Sequence, residues 1–367
     1  MKIAHLTSVH PRNDTRIFLK QCRSLAAYGY DVTLIVADGK GNEFRDGVRI
    51  IDAGASNGRL DRALRASRRV VQRAIEIDAT LYHLHDPELL PLGLMLKRRG
   101  KRVIFDSHED IPQDILTKPY IPQGLRPLVS RSAATVERMI CSRLDGIIAA
   151  TPFIRDNYRA MDIRCIDINN FPMLGELEAE TGWDSKQNEV CYIGSMTAVR
   201  GIAEIVEAMV HVASGARLNL AGKLAGTDIE HKLQRSKGWD RVNALGQIDR
   251  PTVRLVLARS VAGLVTFKPG PNHLEAQPNK MFEYMAAGIP VIASNFPLWR
   301  EIVEGNNCGL LVDPFNLMSI SEAIDGLAGN LELARQMGES GRKAVVARYN
   351  WRTEEKKLFD FYESVIA

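Results

Sequence analysis

Pro278-Asn279-Lys280-Met281-Phe282-Glu283-Tyr284-Met285-Ala286-Ala287-Gly288-Ile289-Pro290-Val291-Ile292-Ala293-Ser294 reads as a helix, a tight stop and a buried strand. Pro278 suits the first helical position, where its missing N–H costs nothing. Gly288 is the helix stop and Pro290 enforces it. Val291-Ile292-Ala293 then forms a short apolar strand. Lys280 is out of place in this scheme. A cation in the first turn opposes the helix dipole, by about 0.3–1 kcal/mol at an exposed site. The conflict disappears if an anion sits at that helix end, served by the free N–H groups and the ammonium together. Glu283, one turn on, projects from the same side. The plain alternative is an i,i+3 Lys–Glu pair on a solvated helix.

Outward from this stretch the same alternation fills the chain. Towards the N-terminus it runs through strands at 3–7, 32–37, 81–84, 103–106 and 146–150, separated by helical periods at 17–28, 62–77 and 89–99 and a long helical stretch reaching 143. Residues 166–172 read as a linker and 175–186 as an acidic loop. A second set begins at 189–193 and continues with strands at 218–221, 242–245, 263–267 and 310–312 and helices at 203–212, 229–235, 251–259, 319–327, 331–348 and 351–366. Such βαβ alternation gives a parallel sheet covered on both faces. At 367 residues the chain exceeds what one core usually supports. The expectation is α/β, with two doubly wound Rossmann-like domains facing across a cleft, because ligands bind beyond the carboxyl ends of such strands.

Composition narrows the function classes. A net charge of +4 is too weak to imply nucleic acid. The five cysteines are scattered, odd in number and lack a C-x-x-C pair, so they suggest neither a disulfide frame nor a zinc site. A reducing cytoplasm is the simplest setting. No signal-like segment opens the sequence, and no run approaches the roughly 20 apolar residues of a membrane span.

Candidate chemistry lies at the strand ends. Gly194-Ser195-Met196-Thr197-Ala198-Val199-Arg200-Gly201 follows a strand and places Arg200 where the next helix starts, repeating the theme of Lys280. Two such ends could grip a diphosphate, each charge-assisted hydrogen bond contributing roughly 1.5–3 kcal/mol. In the first half, Asp106 and His108 end one strand, and His83, His85 and Asp86 end another. They lack the H-E-x-x-H spacing of a metal site, and no metal is expected. His10-Pro11-Arg12-Asn13-Asp14-Thr15-Arg16 is a polar turn entering a helix, with Asn13 or Asp14 as its cap. It lacks the G-x-G-x-x-G of a dinucleotide site, which argues against NAD. Between Arg59 and Arg73 six arginines face one acid, Asp61, with Leu60, Leu64, Val70 and Val71 as an apolar flank. A basic amphipathic helix of that kind can lie on anionic lipid; otherwise it is a solvated face.

These residues resemble glycosyltransferase family four, the retaining GT-B enzymes of bacterial polysaccharide and glycolipid assembly. Glu275 and Glu283 fit the family's E-x7-E spacing, 278–294 is similar to its core, and 194–201 fits its first glycine loop. His10 to Arg16, His85-Asp86-Pro87-Glu88-Leu89-Leu90 and Asp106-Ser107-His108-Glu109-Asp110 look like a polysaccharide-assembly branch. Ser195 stands where many members carry Arg, and Glu275 lacks the usual flanking Phe-Gly.

The resemblance implies an acceptor-side domain over 1–170, a donor domain over 171–349, and a helix at about 350–367 crossing back onto the first. It implies that Glu283 binds ribose hydroxyls, that Gly194, Ser195, Arg200 and Lys280 serve the diphosphate, and that Gly246 and Ile248 hold the base by backbone groups. His108 and Glu275 would act at the sugar, and His10, Asp14, Arg16 and Asp106 on the acceptor side. The expected activity is metal-independent transfer of a hexose from a nucleoside diphosphate sugar, UDP favoured over GDP, to a lipid-linked saccharide or other hydroxyl acceptor. No cofactor is expected, and the setting is cytoplasmic, peripheral on the inner face of the plasma membrane. The rival readings are a sugar-nucleotide epimerase of the same fold and a catalytically silent sugar-nucleotide binding subunit.

Overall fold

The computed structural model describes residues 1–55, 58–61, 65–118, 121–178, 182–224 and 226–367. The chain divides into two compact units: Met1–Asn170 together with Thr353–Ala367, and Phe171–Arg352.

The first unit is built on an eight-stranded sheet. Its strands in chain order are β1 (Lys2–Leu6), β2 (Asp31–Val36), β3 (Glu43–Arg45), β4 (Val48–Asp52), β5 (Leu81–Leu84), β6 (Arg102–Ser107), β7 (Gly146–Ala149) and β8 (Cys165–Asp167). Their spatial order is β3-β4-β2-β1-β5-β6-β7-β8. Every neighbouring pair is parallel except β3 and β4, an antiparallel hairpin turning at Asp46-Gly47. Both turn residues have positive φ, 52° and 78°, the Asp-Gly pattern of a two-residue hairpin turn. The sequence reading missed this hairpin and took part of β8 for linker. The central strands carry almost unbroken apolar runs because helices cover both their faces. The helix Trp351–Ile366 belongs, from Thr353 onward, to this unit and buries Leu358, Phe361 and Tyr362.

The second unit holds six parallel strands: β9 (Glu189–Ile193), β10 (Arg217–Ala221), β11 (Val242–Gly246), β12 (Ala262–Val265), β13 (Val291–Ser294) and β14 (Gly309–Val312). They lie in the order β11-β10-β9-β12-β13-β14. Alternate residues feed two cores, Cys191 and Val265 to one, Tyr192 and Leu264 to the other. The opening stretch folds as a helix, Asn279–Ala286, then β13. Pro278 is the residue before the helix rather than its first. The helix ends with Gly288 at φ 72°, while Gly288 N–H donates to Met285 and Ile289 N–H to Tyr284, a Schellman stop. Gly263 of β12 lets the helix in close, since a β-carbon there would stand 2.3 Å from the Tyr284 ring.

Two helices absent from the sequence reading, Pro152–Arg159 and Pro297–Val303, both carry proline in their first turn. Arg62 of the basic segment lies outside the described residues, as do Ala63 and Leu64. Val70 and Val71 of its apolar flank are buried in the core, Arg69 donates to the carbonyls of Ala53, Gly54 and Ala55, and Arg73 pairs with Glu76. The flank expected to meet lipid is therefore spent, at Val70 and Val71, inside the protein.

Candidate functional site

In the second unit the predicted cations converge. β9 ends at Ile193, and Gly194 follows at φ 134°. A β-carbon on Gly194 would lie 3.0 Å from Lys280 Nζ and 3.9 Å from Arg200 Nη1. The bare backbone here keeps a small space under two cations. Gly201, at φ 71°, closes the loop against the Thr266 carbonyl, where any side chain would collide. Arg200 Nη1 donates to the Ser195 carbonyl (3.3 Å) and to Ser195 Oγ (3.2 Å).

Lys280 is the unusual member. Its Nζ is buried without a hydrogen-bond partner and rests 3.6 Å from the centre of the Tyr192 ring. Burial, and the Arg200 charge beside it, hold its pKa well below the usual lysine range, against a smaller opposing effect of Glu283. The Lys280–Glu283 ion pair of the alternative reading does not form. Glu283 Oε1 accepts instead from Arg250 Nη1 at 2.8 Å, and Arg250 Nε donates to Glu176 at 2.7 Å. Arg250 escaped the sequence reading. It is the first residue of the helix Arg250–Arg259, so it obeys the same rule, a cation at a helix start, that singled out Lys280 and Arg200.

The remaining donor-side candidates lie in this unit too. Gly246 ends β11 at φ 64° with open space where a side chain would stand, and its carbonyl accepts from Gly222 N–H. Ile248 is half-buried two residues before Arg250, and Glu275 is exposed on the turn 271–275.

In the first unit, Asp14 caps the π-helical turns Thr15–Cys22 by accepting from Arg16 N–H and Ile17 N–H, so Asp14 rather than Asn13 is the cap. Arg16 and Asp106, expected to face an acceptor, are buried against each other. Arg16 donates to both Asp106 oxygens (2.9 and 2.6 Å) and to the Ile168 carbonyl (2.6 Å), and Gln21 adds a further donor to Asp106 (2.8 Å). Asp106 is ionised despite its burial, because Arg16 and His108 hold its carboxyl well below the usual range. His85 Nδ1 stands 3.3 Å and His108 Nε2 3.2 Å from Asp106 Oδ2. His108 and His10, with side chains 21% and 27% exposed, are the members that reach solvent. Their rings pack at 4.9 Å, and His10 lies 3.3 Å from Asp14 and 3.5 Å from Asp86. Burial lowers the His10 pKa, but Asp14 and Asp86 outweigh it and raise the net value.

Behind these sits a buried relay that the sequence did not reveal as one. His5 Nδ1 meets His85 Nε2 at 2.9 Å, and Tyr362 Oη reaches His83 Nδ1 at 2.7 Å and His5 Nε2 at 3.3 Å. Burial holds His5 and His83 well below their usual pKa, so they are neutral hydrogen-bonding rings. Two groups here have metal-ligand spacing, His5/His83/His85 and His85/Asp106/His108. In the first, the His5 and His85 nitrogens that face each other are taken up by one hydrogen bond. In the second, Asp106 Oδ2 already serves Arg16 and Gln21, and the guanidinium would repel a cation.

Residues 175–344 match the family profile described as "Glycosyl transferases group 1", and residues 15–168 match "Glycosyl transferase 4-like domain". A GDP-mannose-dependent alpha-(1-6)-phosphatidylinositol monomannoside mannosyltransferase of Mycobacterium tuberculosis is 39% identical over 79 residues, 22% of this chain and 20% of that protein. The chain thus spans about a fifth of that relative's length in the match. Sucrose-phosphate synthase from Thermosynechococcus elongatus superposes with a TM-score of 0.80 at 21% identity, over 100% of this chain and 99% of that one. HepE of Anabaena in complex with UDP-glucose gives 0.74 at 16% identity, over 99% and 100%. The fold is accordingly GT-B: two α/β domains with parallel sheets.

Proposed function

We propose, from the premise that this chain belongs to the group 1, GT4-like glycosyltransferases, that it transfers a sugar from a nucleoside diphosphate sugar to a hydroxyl acceptor with retention at the anomeric carbon. The supporting observation is the buried, unpartnered Lys280 ammonium beside Arg200 over the bare backbone of Gly194. A buried charge without a partner is costly, and a diphosphate supplies the missing one. Developing charge on the leaving diphosphate is then met by two cations already in place, without metal.

In this reading Glu283 accepts from the ribose hydroxyls, with Arg250 fixing its carboxylate. An ionised carboxylate is a pure acceptor and suits sugar hydroxyls. Gly194 and Ser195 line the diphosphate, and the backbone at Gly246 and Ile248 holds the base. Glu275 and His108 act at the transferred sugar, His108 steadied by Asp106. His10 and Asp14 serve the acceptor, while Arg16 works through Asp106. The transferred sugar is a hexose and the acceptor a lipid-linked saccharide in cell-surface polysaccharide assembly. UDP is the favoured carrier, a choice supported by the fold shared with HepE, whose structure holds UDP-glucose. GDP-mannose is the comparison compound, because a mannosyltransferase that uses it matches part of this chain.

The test is a thermal-shift screen of UDP, GDP and ADP compounds, followed by turnover with and without a saccharide acceptor. A ligand bound to the folded state raises the melting temperature. Release of the free nucleotide only when acceptor is present supports transfer. An isomerised donor formed without acceptor would mark an epimerase, and binding without release under any condition would mark a silent subunit.

A further inference from the structure

Tyr192 lies against the cation pair and reaches both of its members. It is the fourth residue of β9 and fully buried. Its ring centre stands 3.6 Å from Lys280 Nζ. Its hydroxyl donates to the Ser195 carbonyl at 2.8 Å, the same carbonyl that Arg200 Nη1 reaches at 3.3 Å. Burial pushes the Tyr192 phenol up to about 12, so it keeps the proton it donates. The helix that carries Lys280 is pinned to the same strand end. Ile193 N–H donates to Tyr284 Oη at 3.0 Å, and Tyr284 follows Lys280 by one turn on the same side of that helix. The fold therefore sets how closely ring and ammonium approach.

An aromatic face is negative and attracts a cation, most strongly away from water. Lys280 Nζ has no hydrogen-bond partner, and Arg200 is a like charge beside it. Phe267 is a second ring at this place, but it stands farther off, 5.5 Å from Lys280 Nζ and 5.4 Å from the Arg200 guanidinium carbon. We propose that Tyr192 is a positioning residue of the diphosphate site: its face holds the Lys280 ammonium toward the space over Gly194, and its hydroxyl fixes the Ser195 carbonyl against which Arg200 rests. A phosphate approaches from the Gly194 side, where no β-carbon intervenes, and leaves the ring in place. A side chain that merely filled the core would need the volume of Tyr192 and not its face.

Tyr192 has this role only if the site grips a nucleoside diphosphate, the reading given above, and one titration series separates the two. UDP is titrated calorimetrically into the full chain, with GDP as the second probe. Tyr192→Phe keeps the face and loses the hydroxyl, and its affinity is expected to fall about threefold. Tyr192→Met fills the space without a face, and its affinity is expected to fall about tenfold further. The advantage of phenylalanine should vanish once Lys280→Met is added: with no ammonium to hold, Tyr192→Phe and Tyr192→Met are expected to bind alike. Melting temperatures are recorded for every variant to show that each is folded. Equal affinities of Tyr192→Phe and Tyr192→Met beside an intact Lys280 overturn the proposal. So does a gap between them that persists with Lys280→Met. If Tyr192→Met does not fold, Tyr192→Phe decides alone, and a loss as large as that of Lys280→Met overturns the role of the face. Failure of the unaltered chain to bind either nucleotide overturns the diphosphate reading itself, and this role with it.

Discussion

Lys280 shows how a local misfit can point to a ligand. Its ammonium is buried, unpartnered and close to a second cation, an arrangement that costs stability while the site is empty. Lys280→Met, similar in length and apolar, is therefore expected to melt no lower than the parent. Donor affinity should fall roughly tenfold to a hundredfold, the loss of one charge-assisted hydrogen bond. A drop in melting temperature with donor affinity intact would reverse this reading. The same residue predicts a proton balance. Its pKa is depressed in the free protein by burial and by Arg200, and an arriving diphosphate raises it again. Binding should thus take up protons, and affinity should weaken as pH rises. Calorimetry in two buffers of different ionisation heat reads this directly; identical heats would refute it. At this scale the sequence was partly legible. Lys280 and Arg200 stood out because they oppose the helix dipole, yet Arg250 did not, because Asp249 caps its helix by accepting from Thr252 N–H and made the start look ordinary. That Arg16 and Asp106 bury each other was hidden, since their 90-residue separation leaves no local trace.

Among the elements, the helix Asn279–Ala286 depends on how closely it approaches β12. Gly263→Ala would drive a methyl group into the Tyr284 ring, costing about 1–3 kcal/mol by overpacking. The helix carries Lys280 and Glu283, so donor affinity should fall along with the melting temperature. Unchanged affinity in a destabilised variant would show that the helix position does not set the site. The helix Arg126–Cys141 supplies a pH-dependent case. Burial lifts the Glu137 carboxyl from 4.5 to about 7, partly opposed by its hydrogen bond from Tyr158. A carboxyl raised by folding adds stability that is complete below its unfolded pKa and disappears as pH climbs through the folded one. Between pH 4.5 and about 7 that contribution, on the order of 3 kcal/mol, should be lost, and Glu137→Gln should remove this part of the pH slope. Melting curves across that range decide it. The strands were readable because buried parallel strands are short apolar runs between glycine and proline stops. β3 and β4 were not, since their mixed polar pattern at the sheet edge hides the period and only Asp46-Gly47 marks the turn.

For the molecule, two units with separate cores imply that one melting temperature does not describe it. A nucleotide held by Gly194, Arg200, Lys280 and Glu283 should raise the transition of the second unit, by about 2.7 kcal/mol at a hundredfold excess over Kd, and leave that of the first where it was. Calorimetric scans with and without UDP check this, and an equal shift of both transitions would contradict it. The two α/β halves were legible in the alternation of short strands and helical periods. The allegiance of Trp351–Ile366 was not legible from periodicity, because an amphipathic helix does not say which core it covers.

That helix has a consequence for biosynthesis. Its stretch from Thr353 fills the first unit, with Tyr362 sealed against His5 and His83, yet it is translated after all of Phe171–Arg352. Domains usually mature in the order in which the ribosome delivers them. Here the later unit has its entire chain first, while the earlier one waits, a gap left in its core, until its final piece emerges. Released chains truncated at Arg352 should therefore resist protease in the second unit and remain open to it in the first.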